Sequence, residues 1–216
     1  MLIPPLTNKG GRQPEARIQD KIIEMLKLKE WTVIRTHGNK YQCGFPDIYA
    51  YHRLYKDRWI EVKQEDQISY TEYQLYYFPK IRRVWILTGH TYNDYKKLFK
   101  MPNYVPILTH NTIARSKKPV TQNHEEGRRQ AEIYEELESK GYTVMQTYGN
   151  NIQRGLPDLL VLKGMKSWWV EVKRLNSFTP AQKEYFPTMY ACGIPIWIVW
   201  DDLNILNEPC NLRNFL

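Results

Sequence analysis

The sequence predicts an α/β protein made of two tandem copies of one domain, each with a central mixed β-sheet flanked by helices. Three observations support this fold class. The chain repeats itself, each copy opens with a segment of helical periodicity, and short apolar runs rich in β-branched and aromatic residues follow. Helices and strands in this order are typical of layered α/β domains.

The internal repeat is visible when the chain is aligned with itself. Residues 15–47 lie on residues 126–158 without a gap, and about half of these positions are identical. Deletion of one residue in the following segment then aligns Glu61 with Glu171. The agreement indicates a duplicated domain of about 100 residues per copy, which lies within the usual size range of domains.

Each copy is predicted to contain a helix, three strands, a second helix and a fourth strand. The first helix spans residues 15–29 in the first copy and begins near Glu126 in the second, because apolar residues recur there at helical spacing. The second helix begins at about Thr71 or Thr179, and Pro180 suits the first helical position.

The strands of each copy are predicted from short runs of residues that favour extended backbone. A brief turn separates the second strand from the third, so we expect these two to form an antiparallel hairpin. The predicted strands are residues 32–35, 47–51, 58–63 and 84–87 in the first copy, and 143–146, 158–162, 168–173 and 196–199 in the second.

The boundaries between the copies follow from composition. Residues 110–124 are polar and basic, contain Pro119 and lack apolar periodicity, so they are predicted to be a linker. The two domains are then residues 13–109 and 125–216. Residues 1–12 are expected to form a loose arm.

Composition indicates a soluble globular protein with a polyanionic partner. Of 216 residues, 42% are hydrophobic and 25% are charged, and the formal net charge of +8 favours nucleic acid as the partner. The longest strongly apolar run, residues 194–200, is too short to cross a membrane, and we see no signal peptide. The three cysteines are widely spaced, which fits a reducing compartment, so we expect a cytoplasmic, nucleoid or nuclear location.

One chemical set occurs twice at matching positions. Asp47 precedes a Glu-Val-Lys triplet at 61–63 by thirteen intervening residues, and Asp158 precedes the same triplet at 171–173 by twelve. A hairpin that turns midway brings each aspartate to its triplet, where glutamate and lysine share one face of the strand. The predicted catalytic residues are Asp47, Glu61, Lys63, Asp158, Glu171 and Lys173.

Two adjacent carboxylates favour a cation between them, and Mg²⁺ suits hard oxygen ligands while leaving positions for water and phosphate. The lysine would position the attacking water or stabilise developing negative charge. Glu15 and Glu126 open the first helices, with Gln19 and Gln130 one turn further on the same face. The predicted metal ligands, direct or through water, are Glu15, Asp47, Glu61, Glu126, Asp158 and Glu171.

Each fragment also has a plainer explanation when it is taken singly. A Pro-Asp pair is usual in turns, a Glu-x-Lys sequence is usual on solvated strands, and an acid at a helix start suits the helix dipole. The ordered combination in both copies favours function. The predicted substrate-binding residues are Gln19, Gln74, Gln130, Gln182, Arg115, Lys117, Lys118 and Arg174.

This ordered set resembles the PD-(D/E)xK nuclease superfamily, and within it the VRR-NUC and Holliday-junction-resolvase-like branches. The first copy carries a helix glutamate, Gly-Phe-Pro-Asp, Trp-Ile-Glu-Val-Lys and Thr-x-x-Gln, and the second repeats the order. The segments are residues 44–47, 59–63 and 71–74, and residues 155–158, 169–173 and 179–182.

The resemblance implies a restriction-endonuclease-like fold in each copy and a nuclease that depends on Mg²⁺ or Mn²⁺. In such enzymes the aspartate and glutamate bind the metal and the lysine assists catalysis. Members of these branches generally have one domain per chain and often act as dimers. This chain carries two, so the resemblance implies a monomeric pseudo-dimer with two active sites.

The leading functional hypothesis is a DNA endonuclease that cuts both strands of branched or otherwise structured DNA. The alternatives are a sequence-specific homing or restriction nuclease and a DNA-binding protein with idle sites. Acidic Glu65 and Asp66 follow the first site lysine, whereas Arg174 follows the second. The second site is therefore predicted to be the more active.

Overall fold

The structure of the chain is a computed structural model. The predicted arm and linker, including Arg115, Lys117 and Lys118, lie outside the residues it describes, as does Arg174. None of the helices in the described residues has both the length and the apolar character needed to span a lipid bilayer. The described residues are 14–36, 44–63, 69–81, 84–87, 125–147, 155–164, 166–173 and 178–199.

The first copy forms one four-stranded mixed sheet with two helices. The sheet order is β1-β2-β3-β4, with antiparallel pairing from β1 through β3 and parallel pairing of β3 with β4. The parallel pair requires a crossover, which α2 provides. The elements are α1 (Pro14–Lys27), β1 (Thr32–Arg35), β2 (Ile48–His52), β3 (Lys56–Val62), α2 (Glu72–Tyr77) and β4 (Val84–Leu87).

The second copy repeats this topology. Its sheet order is β5-β6-β7-β8, again antiparallel except for the parallel pair of β7 and β8. The elements are α3 (Glu125–Ser139), β5 (Thr143–Gln146), β6 (Leu159–Lys163), β7 (Lys166–Val172), α4 (Pro180–Ala191) and β8 (Ile196–Val199).

The predicted α/β class is confirmed in its coarser form, as two four-stranded mixed sheets with four helices in the described residues. The edge strands of both sheets have the predicted bounds, whereas the central hairpin strands are displaced by one or two residues. The first helix ends at Lys27 and not at residue 29, because Glu30 adopts a φ of 63°, which a helix cannot continue. The domain boundaries and the nuclease-type fold remain predictions.

One face of each sheet packs against the first helix of its own copy. In the first copy, Ile22 and Leu26 of α1 are buried with Ile60 and Val62 of β3. Val62 therefore points into this core, as predicted, and Glu61 and Lys63 lie on the other face. The second copy repeats the core with Ile133, Leu137, Val170 and Val172.

The other face of each sheet contributes to a core that both copies share. The Trp169 ring lies 5.4 Å from Tyr49 and 5.9 Å from Trp59, centroid to centroid, and all three side chains are at most 2% exposed. The Trp169 indole Nε1 also donates a hydrogen bond to the Tyr49 hydroxyl at 3.2 Å. The two copies thus pack against each other through their sheets.

The hairpin-turn ends of the two sheets meet at a cleft of about 230 Å³. Lys56 and Asp57, at the start of β3, line it together with Lys166 and Ser167, at the start of β7. Trp59 and Trp169, which contact each other in the shared core, lie further along the same two strands.

Candidate functional sites

Asp47 is fixed just before β2 by backbone and side-chain hydrogen bonds. The Thr36 amide donates to the Asp47 carbonyl at 2.9 Å, and the Thr36 hydroxyl donates to the carbonyl of Pro46. The Asp47 carboxylate oxygen Oδ2 accepts from the Val62 amide at 2.8 Å. The predicted meeting of Asp47 with the end of β3 is therefore present.

Asp158 has the same surroundings in the second copy. The Thr147 amide donates to the Asp158 carbonyl at 2.8 Å, and the Thr147 hydroxyl donates to the Pro157 carbonyl at 2.5 Å. Asp158 Oδ2 accepts from the Val172 amide at 2.8 Å. The two threonines were identical in the self-alignment, but sequence reasoning gave them no role, because alignment does not show which atoms they contact.

The glycine that opens each Gly-x-Pro-Asp segment is required by the backbone. Gly44 and Gly155 have φ values of 89° and 91°, which side chains other than glycine rarely adopt. A Cβ atom at either position would also collide with a tyrosine ring of the second helix, Tyr77 or Tyr185. Each glycine thus lets the second helix lie close to its aspartate.

Glu61, Lys63 and Gln74 form a connected group in the first copy. The Lys63 ammonium is 2.7 Å from Glu61 Oε1, and the Gln74 amide nitrogen donates to the same oxygen at 2.6 Å. Lys63 Nζ also donates to Gln74 Oε1 at 3.4 Å. The strand end and α2 are therefore joined at the predicted site.

The second copy builds the same group, with a shorter contact between the lysine and the glutamine. Lys173 Nζ lies 2.7 Å from Glu171 Oε1 and donates to Gln182 Oε1 at 3.1 Å. The Gln182 amide donates to Glu171 Oε1 at 2.5 Å. The Gln182 side chain is only 8% exposed, so it is buried together with Glu171.

The glutamines also start the second helices. Thr71 caps α2 and Thr179 caps α4, and in each case the glutamine three residues later completes a capping box. Because the same amide binds the helix cap, the glutamate and the lysine, helix position and site geometry are coupled. Gln74 and Gln182 thus each contact the site lysine, and their contact with substrate remains a prediction.

The carboxylates resist ionisation when no cation other than lysine is present. Burial raises the pKa of the Glu61 carboxyl from 4.5 to about 8, and the charge of Asp47 acts in the same direction. Lys63 and Gln74 oppose this increase by stabilising the ionised form. The buried Glu61 carboxyl therefore favours its protonated form unless a further cation stabilises its charge.

In the second copy, burial raises the pKa of Glu171 from 4.5 to about 7, and Lys173 and Gln182 oppose the rise. Burial and the charge of Glu171 also raise the pKa of Asp158 well above its usual range. The charge of Glu126 raises the pKa of both groups, which places this helix glutamate within electrostatic reach of the site.

The predicted glutamines of the first helices are less accessible than a surface contact would need. Gln19 and Gln130 are each 6% exposed. They lie on the buried side of α1 and α3, whereas Glu15 and Glu126 are partly exposed. Substrate contact by these two glutamines remains a prediction.

The donor set fits a hard divalent cation. Glu61 Oε2 and Glu171 Oε2 are buried and have no hydrogen-bond partner among the described residues. An unsatisfied carboxylate oxygen beside a second carboxylate is the kind of donor that Mg²⁺ binds. No group of three His, Cys, Asp or Glu side chains converges within the described ranges, so each site offers a pair of carboxylates.

Comparison of the chain with protein-family models, with curated proteins and with solved structures finds no match.

Proposed function

We propose that this protein is a metal-dependent DNA endonuclease with two phosphodiester-cleaving sites, and that it cuts both strands of branched or otherwise structured DNA. One observation carries the proposal. Each copy brings two carboxylates and a lysine together, and leaves one buried glutamate oxygen, Glu61 Oε2 or Glu171 Oε2, without a hydrogen-bond partner in the described residues. A structural ion pair needs one carboxylate per lysine, so the second carboxylate argues for a bound cation.

Mg²⁺ or Mn²⁺, held by Asp47 with Glu61 and by Asp158 with Glu171, would activate water and neutralise charge on the phosphate. The protein would supply the rest. Lys63 and Lys173 each carry a positive charge held against a glutamate at 2.7 Å, next to where the ion would bind. Such a fixed charge stabilises the negative charge that develops at phosphorus without any rearrangement at the moment of reaction.

The helix glutamates are proposed to act at a distance. The charge of Glu126 influences the pKa of Asp158 and Glu171, and we propose that Glu126 binds a water ligand of the same ion. Glu15 is proposed to serve the first site in the same way. This role suits side chains that are partly exposed and not part of a three-carboxylate cluster in the described residues.

The arrangement of the copies supports DNA as the substrate. The net charge of +8 favours a polyanion, and the two copies pack against each other through one shared core. Two sites held by one core would be able to act on two strands of a single DNA molecule. We therefore propose that the monomer, as a pseudo-dimer, is the active form.

The test is a cleavage panel of four-way junction, flap, nicked and linear duplex DNA with the purified full chain in Mg²⁺. We expect cleavage of at least one branched substrate, loss of cleavage in EDTA, and recovery with Mn²⁺. The double variant Asp47→Ala/Asp158→Ala, purified identically, controls for contaminating nucleases. Absence of cleavage of every substrate would overturn the proposal, and discrete fragments from long linear DNA would indicate a sequence-specific nuclease instead.

A further inference from the structure

An aromatic ring stands beside the site lysine in both copies. The Lys63 ammonium lies 5.3 Å from the centroid of the Tyr70 ring, and the Lys173 ammonium lies 5.5 Å from that of Phe178. Both distances are within the range in which a ring face attracts a cation. The sequence alignment pairs these two residues, but neither belongs to the carboxylate and lysine set.

Each ring contacts a buried phenylalanine, which lies at the C-cap of α2 in the first copy and within α4 in the second. Tyr70 contacts Phe78 edge to face at 6.2 Å and 81°, and Phe178 contacts Phe186 at 6.1 Å and 77°. Phe78 and Phe186 are 0% and 2% exposed, so they are fixed in the core. The near identity of the two arrangements shows that the ring orientation is a property of the repeat and not of one copy.

The ring completes the surroundings of the lysine. Glu61 and Gln74 bind the Lys63 ammonium through oxygen atoms, and Tyr70 offers it a π-face. Lys63 and Lys173 side chains are only 13% and 10% exposed, so little water competes with these contacts. A cation–π contact is stronger when the cation is desolvated than when it is exposed to water.

We propose that Tyr70 and Phe178 are positioning residues, which hold the site lysine in its reactive orientation through a cation–π contact. The inference rests on the proposed nuclease function and adds a determinant that the carboxylate and lysine pattern does not contain. Tyrosine and phenylalanine serve equally, because both present a ring face. An aliphatic side chain of similar volume would fill the space without attracting the ammonium group.

The competing explanation is that the ring only fills space against the second helix. Progressive fluorination separates the two, because fluorine withdraws electron density from the ring face while changing the ring volume little. Phe178 is the better position, since it lacks the hydroxyl of Tyr70. The parent for the test is the full chain with Asp47→Ala, in which only the second site is intact.

In this parent, residue 178 is replaced by phenylalanine analogues with one, two and three fluorine atoms, and by Tyr and Leu. We expect kcat for nicking to fall stepwise with fluorination, by roughly 3- to 30-fold in total, with KM and melting temperature little changed. Phe178→Leu should resemble the most fluorinated variant, and Phe178→Tyr should retain activity. A kcat that does not depend on fluorination overturns the inference.

A second measurement does not depend on cleavage. In NMR spectra of the Asp47→Ala parent, the ε-methylene protons of Lys173 should be shifted upfield by the Phe178 ring current, and Phe178→Leu should remove the shift. Absence of the shift in the parent overturns the inference by itself. A parent that shows the shift but nicks no substrate overturns the proposed function, whereas a parent that nicks without a fluorine trend overturns the positioning role alone.

Discussion

The two sites of this chain use the same residues, but the second copy holds them more firmly than the first. The contact from lysine to glutamine is 3.1 Å in the second site and 3.4 Å in the first. The helix that carries the glutamine has 12 residues in the second copy and 6 in the first. A longer helix has more of its surface packed in the core, so it fixes the glutamine at its N-terminus better.

The electrostatic surroundings differ in the same direction. The pKa of the site glutamate is raised to about 8 in the first copy and to about 7 in the second. Burial is the largest cause of the raised pKa in both copies. At Glu171 the next largest influence is the charge of Lys173, which lowers the pKa, whereas at Glu61 it is the charge of Asp47, which raises it. A duplicated site can thus keep its residues while the electrostatic influences on its glutamate change.

The largest effect is expected from removal of the lysines. Lys173→Met should lower the rate of cleavage by the second site by about 10²–10³-fold, because a fixed charge next to the developing negative charge is lost. Lys63→Met should act by the same factor on the other strand. Rates for each strand, measured with end-labelled junctions, check this, and equal loss on both strands from one variant would contradict independent sites.

A smaller effect is expected from the glutamines. Gln182→Ala should reduce the rate of the second site by about 10–100-fold, as is typical when a residue that orients a ligand is lost. Gln74→Ala should have the weaker effect, because its contact with the lysine is longer. The comparison fails if Gln74→Ala proves the more damaging of the two in strand-resolved kinetics.

The interface between the copies is expected to be sensitive at one hydrogen bond. Tyr49→Phe keeps the ring but leaves the buried Trp169 Nε1 without its acceptor, so the free energy of unfolding should fall by about 1–3 kcal/mol. Tyr49→Leu, which places in the first copy the residue that the second copy has at Leu160, also removes the ring contacts and should cost more. Urea unfolding measures both, and no loss in either variant would contradict the packing of the sheets.

The smallest effect is a pH dependence of stability in the metal-free protein. The Glu61 carboxyl releases its proton near pH 4.5 when unfolded and near pH 8 when folded, so between these values the folded state binds more protons. Stability should therefore fall as the pH rises through this window. For Glu171 the fall in stability should end near pH 7.

Melting temperatures in EDTA from pH 4.5 to 8 test this prediction against Glu61→Gln and Glu171→Gln. Each substitution should remove part of the decline in melting temperature. The part removed by Glu61→Gln should extend to a higher pH than the part removed by Glu171→Gln. Saturating Mg²⁺ should stabilise the wild type more at pH 8 than at pH 5, since the ion binds the ionised carboxylates. A melting temperature that rises with pH in EDTA would show that the glutamates are not buried as described.

Much of each copy could be predicted from local sequence. The edge strands Thr32–Arg35 and Ile196–Val199 were predicted with their observed bounds, because they are short β-branched and aromatic runs between clear turns. The meeting of Asp47 with Glu61 and Lys63 followed from hairpin length alone. The end of α1 was predicted two residues too late, because the left-handed conformation of Glu30 has no strong sequence signal.

Long-range packing could not be predicted from these patterns. Tyr49 and Trp59 were recognisable as strand residues, but alternation gives two faces and does not say which face meets the other copy. Gln74 both completes the cap of α2 and contacts Lys63. This double role depends on the orientation of α2 against the sheet, which sequence spacing does not determine. The rings of Tyr70 and Phe178 were aligned correctly, yet their contact with the lysines needs the same geometry.

The most direct test of the account is strand-resolved cleavage by Asp47→Ala and Asp158→Ala, each in the full chain. The account predicts that either variant becomes a nickase with Mg²⁺, that the two variants leave different strands uncut, and that the double variant is inactive. Asp47→Ala should be the more active nickase, because it retains the second site. If either single variant still cuts both strands at the wild-type rate, the claim of two sites with one strand each is wrong.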